Sequence, residues 1–179
     1  MKLLIASDIH GSAYWCRALM AQIEAESPDT VVLLGDLLYH GPRNDLPRDY
    51  APKEVLAMLN TLAYRVVAVR GNCDSEVDQM VLDFPCMADY AIVMDAVPAS
   101  KAEPRLLFCT HGHLFGPQNV PPIARGAALL YGHTHVKEIA SRDGVLFVNP
   151  GSVSLPKDGS NSYAVYENGA FELRELVGE

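Results

Sequence analysis

The first half of the chain alternates short apolar runs with longer segments in which apolar and polar residues are mixed. The apolar runs at 3–6, 30–34 and 65–69 are typical of strands that are covered on both faces. Between them, 12–26 is rich in Ala, Leu, Met and Glu, and 52–62 begins with Pro, so both segments favour helices. The resulting order of strand, helix, strand, helix and strand indicates parallel βαβ units.

The second half has a different pattern, in which short apolar runs are separated by Gly, Pro or Asn. Strands are predicted at 91–97, 105–109, 127–131, 145–148 and 163–166. Asp143-Gly144 is typical of a hairpin turn, and only 120–126 favours a further short helix. The whole pattern predicts an α/β fold in which two mixed sheets pack face to face with helices outside.

The composition is that of one globular domain. The chain has 179 residues, of which 49% are hydrophobic and 20% are charged, enough for a sizeable core. No internal repeat or linker divides it, so we expect a single domain over 1–179. The apolar run near the N-terminus is short and is interrupted by Asp8, and no other run reaches membrane-spanning length. We therefore expect neither a signal peptide nor a membrane helix.

Charge and cysteine content indicate which binding partners and which cellular compartment to expect. The formal net charge is -8 without any run of Lys or Arg, so a broad nucleic-acid-binding surface is not expected. A small anionic substrate remains compatible, because bound metal ions can reverse the local charge. Cys16, Cys73, Cys86 and Cys109 form no C-x-x-C pair. They predict reduced thiols in a cytoplasmic protein rather than a thiolate zinc site.

Polar residues whose side chains can bind metal ions follow five of the predicted strands. Asp, Asn and His side chains stand where each strand ends, usually beside a glycine that lets the backbone turn sharply. The candidate metal ligands are Asp8, His10, Asp36, Asn72, His111, His133 and His135. Pairs two residues apart, such as Asp8 and His10, can point the same way from an extended segment.

The donor set predicts a centre with two divalent ions. Mixed oxygen and nitrogen donors suit Mn, Fe, Zn or Co better than Ca. Seven ligands are too many for one catalytic zinc, which takes about three from the protein, but fit two ions that share a carboxylate. Two such ions, two carboxylates and a hydroxide leave a net charge of about +1, which attracts a phosphate. A hydroxide that bridges the metals can then attack phosphorus in line with the leaving oxygen.

The five motifs, in this order, resemble those of the calcineurin-like metallophosphoesterase superfamily. The chain length and the segments at 40–44, 70–74 and 149–152 are similar to the small bacterial phosphodiesterases of that superfamily. The resemblance implies a four-layer αββα sandwich and a metal-dependent phosphodiesterase that acts on a small phosphodiester. It also implies a preference for manganese, with zinc, iron, cobalt or nickel as alternatives.

The resemblance also implies an assignment of ligands to the two ions. One ion would be held by Asp8, His10, Asp36 and His135, and the other by Asp36, Asn72, His111 and His133. Asp36 would bridge the two ions.

The chain departs from the broader superfamily at Cys73. Many of its phosphatases have a histidine there that protonates the leaving group, and a thiol is a poor acid near neutral pH. We therefore expect weak activity on poor leaving groups and better activity on aryl phosphodiesters. Cys73 either touches substrate or only packs beside the site, and His113 either replaces the missing acid or supports the structure. Asp74 is either a helix N-cap or a support for the ligands.

Arg43 lies in a loop rich in Pro, Gly and Asp that follows Asp36. It either binds a phosphate oxygen or is a loop charge exposed to solvent.

The main functional alternative is a non-catalytic metal-binding scaffold of the same fold, and the complete ligand set favours catalysis over it. The absent leaving-group histidine argues against an efficient phosphomonoesterase, and the acidic charge argues against a processive nuclease. Apolar residues at 114–123 could pair subunits into a homo-oligomer.

Overall fold

The computed structural model describes residues 1–96 and 105–178, and its strands form two mixed five-stranded sheets. In chain order the strands are β1 Lys2–Ala6, β2 Thr30–Leu33, β3 Val66–Ala68, β4 Tyr90–Asp95, β5 Arg105–Thr110, β6 Ala128–Leu130, β7 Glu138–Arg142, β8 Val145–Asn149, β9 Ser162–Glu167 and β10 Ala170–Glu175. The first sheet has the order β10-β9-β1-β2-β3, with β1, β2 and β3 parallel. The second has the order β4-β5-β6-β8-β7, with β5, β6 and β8 parallel.

The helices begin where the sequence supplies a partner for the free backbone amides. Helix α1 (Ala13–Glu26) is capped by Ser12, whose side-chain oxygen accepts a hydrogen bond from the Trp15 amide. Helix α2 (Pro52–Asn60) begins at a proline, which needs no amide partner. The short helix α3 (Glu76–Val81) is preceded by a capping box between Ser75 and Asp78. A 3-10 turn at Ala63–Arg65 follows α2.

The apolar runs of the parallel strands are buried on both faces. Alternate residues of β1 point to opposite sides, so that Leu4 packs under the helices while Leu3 and Ile5 face the second sheet. The core between the sheets joins these residues to Leu107 and Leu130 of β5 and β6. The predicted packing of two mixed sheets face to face is therefore confirmed.

The two outer faces are covered differently. Helices α1 and α2 cover the first sheet through buried residues such as Leu19 and Val55. The outer face of the second sheet is covered by Phe115 and Ile123 from the loop after β5. The short helix expected at 120–126 does not form, because prolines at 121 and 122 disfavour the helical conformation of the residue before each, and only four residues remain up to Gly126.

Three elements are not predicted by the sequence pattern, namely α3, β7 and β10. Strands β7 and β10 are half-exposed edge strands with several charged residues, so they lack the apolar runs that mark the central strands. The predicted turn at Asp143-Gly144 is confirmed, since it joins β7 to β8 and both residues have positive φ. Residue 97 of the strand expected at 91–97 lies outside the described residues. Across 1–96 and 105–178, the helices are too short or too polar to cross a bilayer.

Candidate metal centre

The carboxyl ends of parallel strands from both sheets converge on one cluster of polar side chains. Strand β1 leads into Asp8 and His10, β2 into Asp36, and β3 into Asn72. From the second sheet, β5 leads into His111, and β6 leads into His133 and His135. All seven sequence-predicted ligands lie in or at the edge of this cluster, since each has a donor atom within 4 Å of a donor atom of another. The fold therefore brings together residues up to 127 positions apart along the chain.

Most of these residues have a backbone conformation that L-amino acids rarely adopt. Left-handed φ values occur at Asp8 (59°), His10 (49°), Asp36 (55°), His133 (65°) and His135 (60°). Such residues carry a conformational cost that the surrounding structure must offset. Here the backbone supplies hydrogen bonds between the two strand ends, because the Asp8 amide donates to Gly35 O (3.1 Å) and the His10 amide donates to Asp36 O (2.9 Å).

Two glycines let the backbone approach the carboxylates closely. A Cβ atom at Gly132 would lie 1.9 Å from Ser7 Oγ and 2.8 Å from Asp8 Oδ2. A Cβ atom at Gly71 would lie 2.0 Å from Asp36 Oδ1. No side chain fits at either position without displacing a candidate ligand.

Three of the histidines are oriented by backbone carbonyls. The Nδ1 atoms of His10, His111 and His135 lie 2.9, 2.7 and 2.6 Å from the carbonyl oxygens of Tyr39, Leu34 and Leu155. Each Nδ1 must carry the proton in order to donate this hydrogen bond, which leaves Nε2 as the free donor atom facing the cluster. Metal-binding histidines are oriented by such hydrogen bonds in other proteins.

One group of donor atoms surrounds Asp8. Asp8 Oδ1 lies 3.6 Å from His10 Nε2 and 3.2 Å from His135 Nε2, and the two Nε2 atoms are 3.3 Å apart. Asp8 Oδ1 is buried and has no hydrogen-bond partner within the described ranges. A buried carboxylate oxygen between two imidazole nitrogens is a suitable place for a cation.

A second group of donor atoms surrounds His111. Its Nε2 lies 3.2 Å from Asn72 Oδ1 and 3.2 Å from His133 Nδ1. The same Nε2 is 3.4 Å from Asp36 Oδ2.

Asp36 joins the two groups. Its Oδ2 atom is 3.7 Å from His10 Nε2 in the first group as well as 3.4 Å from His111 in the second. Its Oδ1 atom accepts a hydrogen bond of 2.8 Å from the Cys73 amide, which fixes the carboxylate plane. One oxygen of Asp36 is thereby committed to the protein, and the other faces both groups.

The electrostatics of the cluster keep its carboxylates charged. Burial alone would raise the pKa of Asp8, but the adjacent imidazoles of His10 and His135 outweigh burial and hold that pKa well below its usual range. Burial would lower the pKa of His111, but its hydrogen bond to Asp36 and the charges of Asp8 and Asp36 raise it to about 9. A metal ion that binds His111 must therefore displace a proton.

Asp74 supports the ligands and does not cap a helix. Its buried carboxylate accepts hydrogen bonds from the amides of Asp36 (2.8 Å), Leu37 (2.8 Å) and Gly71 (2.7 Å). It thus ties the end of β2 to the end of β3, while Ser75 caps α3. Burial raises the pKa of Asp74 to about 6, since these amide donors only partly offset its desolvation.

The segment after β8 supports the cluster from the opposite direction. The hydroxyls of Ser152 and Ser154 donate hydrogen bonds to the carbonyl oxygen of Asp8, at 2.9 and 3.1 Å. The Asn149 side chain donates to Gly132 O (3.0 Å) and to Thr134 Oγ1 (2.9 Å). Residues 149–155 therefore hold the backbone on both sides of the first group of donors.

Cys73 and His113 lie at the border of the cluster. Burial raises the pKa of the Cys73 thiol to about 12, and nearby Asp36 adds to this effect. The thiol also accepts a hydrogen bond of 3.2 Å from the Asn72 side chain. The His113 ring packs against His111 (5.4 Å between centroids) and His133 (6.2 Å), and burial lowers its pKa. Both side chains are therefore uncharged near neutral pH.

Two cationic side chains line the cleft that opens onto the cluster. This cleft has a volume of about 330 Å³, and its walls include Asp36, Asn72, Cys73, His133 and His135. Arg43 contributes to it from the loop after β2, and Lys157 from the segment after β8. Lys157 was not singled out by the sequence pattern, because a single lysine carries no motif. Its amide donates a hydrogen bond of 3.0 Å to His135 O, which places it beside the cluster.

The sheets and the cluster of carboxylate, amide and imidazole donors at their strand ends define a class of metal-dependent phosphoesterases. Residues 1–169 match the calcineurin-like phosphoesterase superfamily domain, and the chain belongs to this superfamily. It is 47% identical over 177 residues to Phosphodiesterase YfcE of Escherichia coli (strain K12), which covers 98% of this chain and 92% of that protein. The identity to Phosphodiesterase MJ0936 of Methanocaldococcus jannaschii is 26% over 183 residues, with 100% of both chains covered.

Solved structures show the same architecture. The phosphoesterase Yfce from E. coli matches with a TM-score of 0.88 at 42% identity, covering 99% of this chain and 100% of that chain. Wild-type Vps29 from Entamoeba histolytica, solved with zinc, matches with a TM-score of 0.60 at 20% identity, covering 98% of each chain. The second match shows the fold alone.

Proposed function

We propose that this chain is a phosphodiesterase that holds two divalent metal ions and hydrolyses a small phosphodiester. The observation that carries the proposal is the position of Asp36 Oδ2, which lies 3.7 Å from His10 Nε2 and 3.4 Å from His111 Nε2. One carboxylate oxygen thus faces two separate groups of donors, as a ligand shared by two ions requires. The similarity to two proteins named phosphodiesterases supports the choice of reaction.

The ligands divide into two sets that share Asp36. Asp8, His10, Asp36 and His135 would hold one ion, and Asp36, Asn72, His111 and His133 the other. Two bound ions supply Lewis acidity and lower the pKa of water at the site. The nitrogen and oxygen donors suit manganese, for which we infer a preference, and they also accept zinc, iron, cobalt or nickel.

The protein's own residues bind and orient the phosphate. Arg43 and Lys157 line the cleft from two different loops, and a phosphate oxygen there can accept hydrogen bonds from either side chain. Their positive charges offset the negative charge that develops on the phosphoryl oxygens. The Cys73 amide holds Asp36 Oδ1, so that only Oδ2 faces the reacting centre.

The state of Cys73 favours diesters with good leaving groups. A thiol whose pKa is raised to about 12 is a weaker general acid than an imidazolium near neutral pH, so it assists a departing alkoxide less. His113 could donate a proton only if it is first protonated, and burial opposes that by lowering its pKa. We therefore infer that aryl diesters are cleaved faster than alkyl esters or phosphomonoesters.

A non-catalytic scaffold is the less favoured alternative, because all seven ligand positions retain side chains that can bind metal.

We also infer that 1–179 acts as one domain, since the two sheets share the core that lies between them. A reducing, cytoplasmic location is consistent with four free cysteines, three of them buried. Nucleic acid is not favoured as a partner, given the net charge of -8. A homo-oligomer remains part of the proposal, without a defined interface.

The test compares bis(p-nitrophenyl) phosphate with p-nitrophenyl phosphate. Protein stripped with a chelator would receive Mn, Zn, Mg, Ni or Co singly, and bound metal would be counted by elemental analysis. We expect metal-restored diester turnover with little monoester turnover, and about two ions per chain. Asp36→Asn should lose both metal occupancy and turnover. No turnover with any metal, from wild-type protein shown to bind two ions, would favour the scaffold.

A further inference from the structure

A second cavity adjoins the metal cleft and is larger and more apolar. Its volume is about 880 Å³, against about 330 Å³ for the metal cleft. The two share Pro42, Arg43, Asn72 and Cys73 in their walls. An ester group attached to a phosphate in the metal cleft can therefore extend into the larger cavity. A volume of this size is in the range of small-molecule sites.

The walls of this cavity are mainly apolar. Aliphatic side chains come from Leu38, Leu56, Val77 and Val81, and rings come from Tyr39, Tyr50, Pro42 and Pro52. Several of them expose more surface than apolar side chains usually do, with Val77 at 65% and Val81 and Tyr39 at 42%. Contiguous exposed apolar surface beside a reaction centre is typical of a ligand-binding groove.

The carboxylates in the walls are already engaged by the backbone. Asp78 accepts a hydrogen bond of 2.8 Å from the Ser75 amide in the capping box, and Asp74 accepts three amide hydrogen bonds at the ends of β2 and β3. The remaining charged side chains of the lining are the cations Arg43 and Lys53. The cavity therefore suits a group that is apolar in its body and carries negative charge at the phosphate.

The rings have fixed positions relative to one another. The His40 ring packs edge-on between Tyr39 (4.7 Å between centroids) and Tyr50 (5.1 Å). Rigid tyrosine and proline rings offer flat surfaces, on which a planar aromatic group makes closer contact than a flexible chain.

From these features we propose that the cavity is a subsite for an aromatic ester group of the phosphodiester. This inference rests on the proposed function and narrows its substrate class to diesters that carry at least one aryl or heteroaryl group. Val77 and Val81, one helical turn apart on α3, form one wall of the subsite.

The test measures binding and does not depend on turnover. Calorimetric titration of the manganese-loaded protein would give the Kd of methyl-, cyclohexyl- and phenylphosphonate, which share the phosphonate group and differ in the attached group. We expect phenylphosphonate to bind roughly ten- to a hundredfold more tightly than methylphosphonate, and more tightly than cyclohexylphosphonate. Tighter binding of the cyclohexyl compound would overturn the preference for an aromatic group.

Two variants separate the subsite from general surface effects. Val77→Asn combined with Val81→Asn should bring the phenyl-to-methyl ratio close to one. Met80→Asn is the matched control, because Met80 is 82% exposed on the same helix and does not line the cavity. The control should keep the wild-type ratio.

Failure of the subsite is distinguishable from failure of the proposed function. Equal affinity for all three phosphonates, with binding that still requires manganese, would overturn the subsite and leave the metal centre intact. If the double variant keeps the wild-type ratio but changes the sedimentation velocity, another copy of the chain covers the cavity, and the subsite is again overturned. Circular dichroism of each variant verifies that α3 and the remaining fold are retained.

Discussion

At the scale of single residues, the candidate metal ligands are distinguished by their backbone as much as by their side chains. Asp8, His10, Asp36, His133 and His135 have left-handed φ values, and Gly71 and Gly132 leave no room for a side chain beside them. The convergence of the seven candidate ligands could be predicted from the sequence, because Asp, Asn and His recur after apolar runs. Ser152 lies in the segment 149–152 that the sequence singles out, whereas Lys157 and Ser154 could not be predicted, since isolated polar residues in a loop have no distinctive spacing.

The side chain at position 73 provides a prediction at this scale. Cys73→His places an imidazole, which can be protonated near neutral pH, where the thiol has a pKa of about 12. We expect turnover of glycerol phosphate, a monoester with a poor leaving group, to rise by about ten- to a hundredfold relative to bis(p-nitrophenyl) phosphate, whose leaving group departs without a proton. Steady-state kinetics with both substrates would measure the ratio.

Cys73→Ser serves as the control for this substitution. A serine hydroxyl has nearly the same size as the thiol and supplies no useful acid, so it should bring no such gain. An unchanged ratio in Cys73→His would remove the thiol as the cause of the diester preference.

At the scale of elements, the strands with apolar runs were predictable and the polar edge strands β7 and β10 were not. Strand β1 is a continuous apolar run because one face meets the helices and the other meets the second sheet. Strand β10 alternates half-buried and exposed residues over most of its length and includes two glutamates and an arginine, so its sequence resembles a polar loop. Helix α3 has six residues, too few for a periodic pattern.

An ion pair joins Asp158 to Lys137 in the loop that follows the candidate ligand His135. The Asp158 carboxylate accepts hydrogen bonds from the Lys137 amide (2.6 Å) and from Lys137 Nζ (2.8 Å), two residues after His135. Burial would raise the pKa of Asp158, but the hydrogen bonds and charge of Lys137 outweigh burial and lower that pKa from 3.8. The contact therefore stabilises the fold above the unfolded-state pKa, and this contribution is lost as the pH falls through the lower folded-state pKa.

Asp158→Asn should reduce the free energy of unfolding by about 1 kcal/mol near neutral pH. The difference from wild type should stay constant from about pH 7 to pH 5 and shrink below about pH 4, because only the wild-type carboxylate loses its charge there. Urea unfolding of the metal-free proteins at a series of pH values would measure this difference. Asp143→Asn, in the exposed turn between β7 and β8, is a control that should show a smaller effect. A difference that grows on acidification would contradict the assigned sign.

At the scale of the whole molecule, the candidate metal centre lies where the two sheets meet. The shared core and the backbone hydrogen bonds between strand ends are contacts of the protein itself, and they hold the strand ends together. We therefore expect chelator-treated protein to keep its circular dichroism spectrum and to unfold in one cooperative transition. Two separate transitions would argue against a single domain.

Metal should raise the melting temperature of wild-type protein. At a free manganese concentration about a hundredfold above its Kd, the expected increase is about 5–10 °C for each bound ion in a chain of this size. Asp36→Asn should lose this increase and should also lower the metal-free melting temperature. The reason is that the hydrogen bond and charge of His111 outweigh burial and the repulsion from Asp8 and lower the pKa of Asp36, so the charged carboxylate stabilises the folded protein. Differential scanning calorimetry with and without manganese would measure both effects.

The left-handed ligand positions also bear on how such a chain evolves. Because neighbouring amides and carbonyls hold the conformation at Asp8 and His10, a mutation that replaces a ligand side chain removes the chemistry and leaves the architecture standing. A duplicated copy of the gene could therefore lose hydrolysis in a single step and still encode a foldable protein. Its surfaces could then acquire new binding functions while the sequence at the strand ends still resembles that of the enzyme.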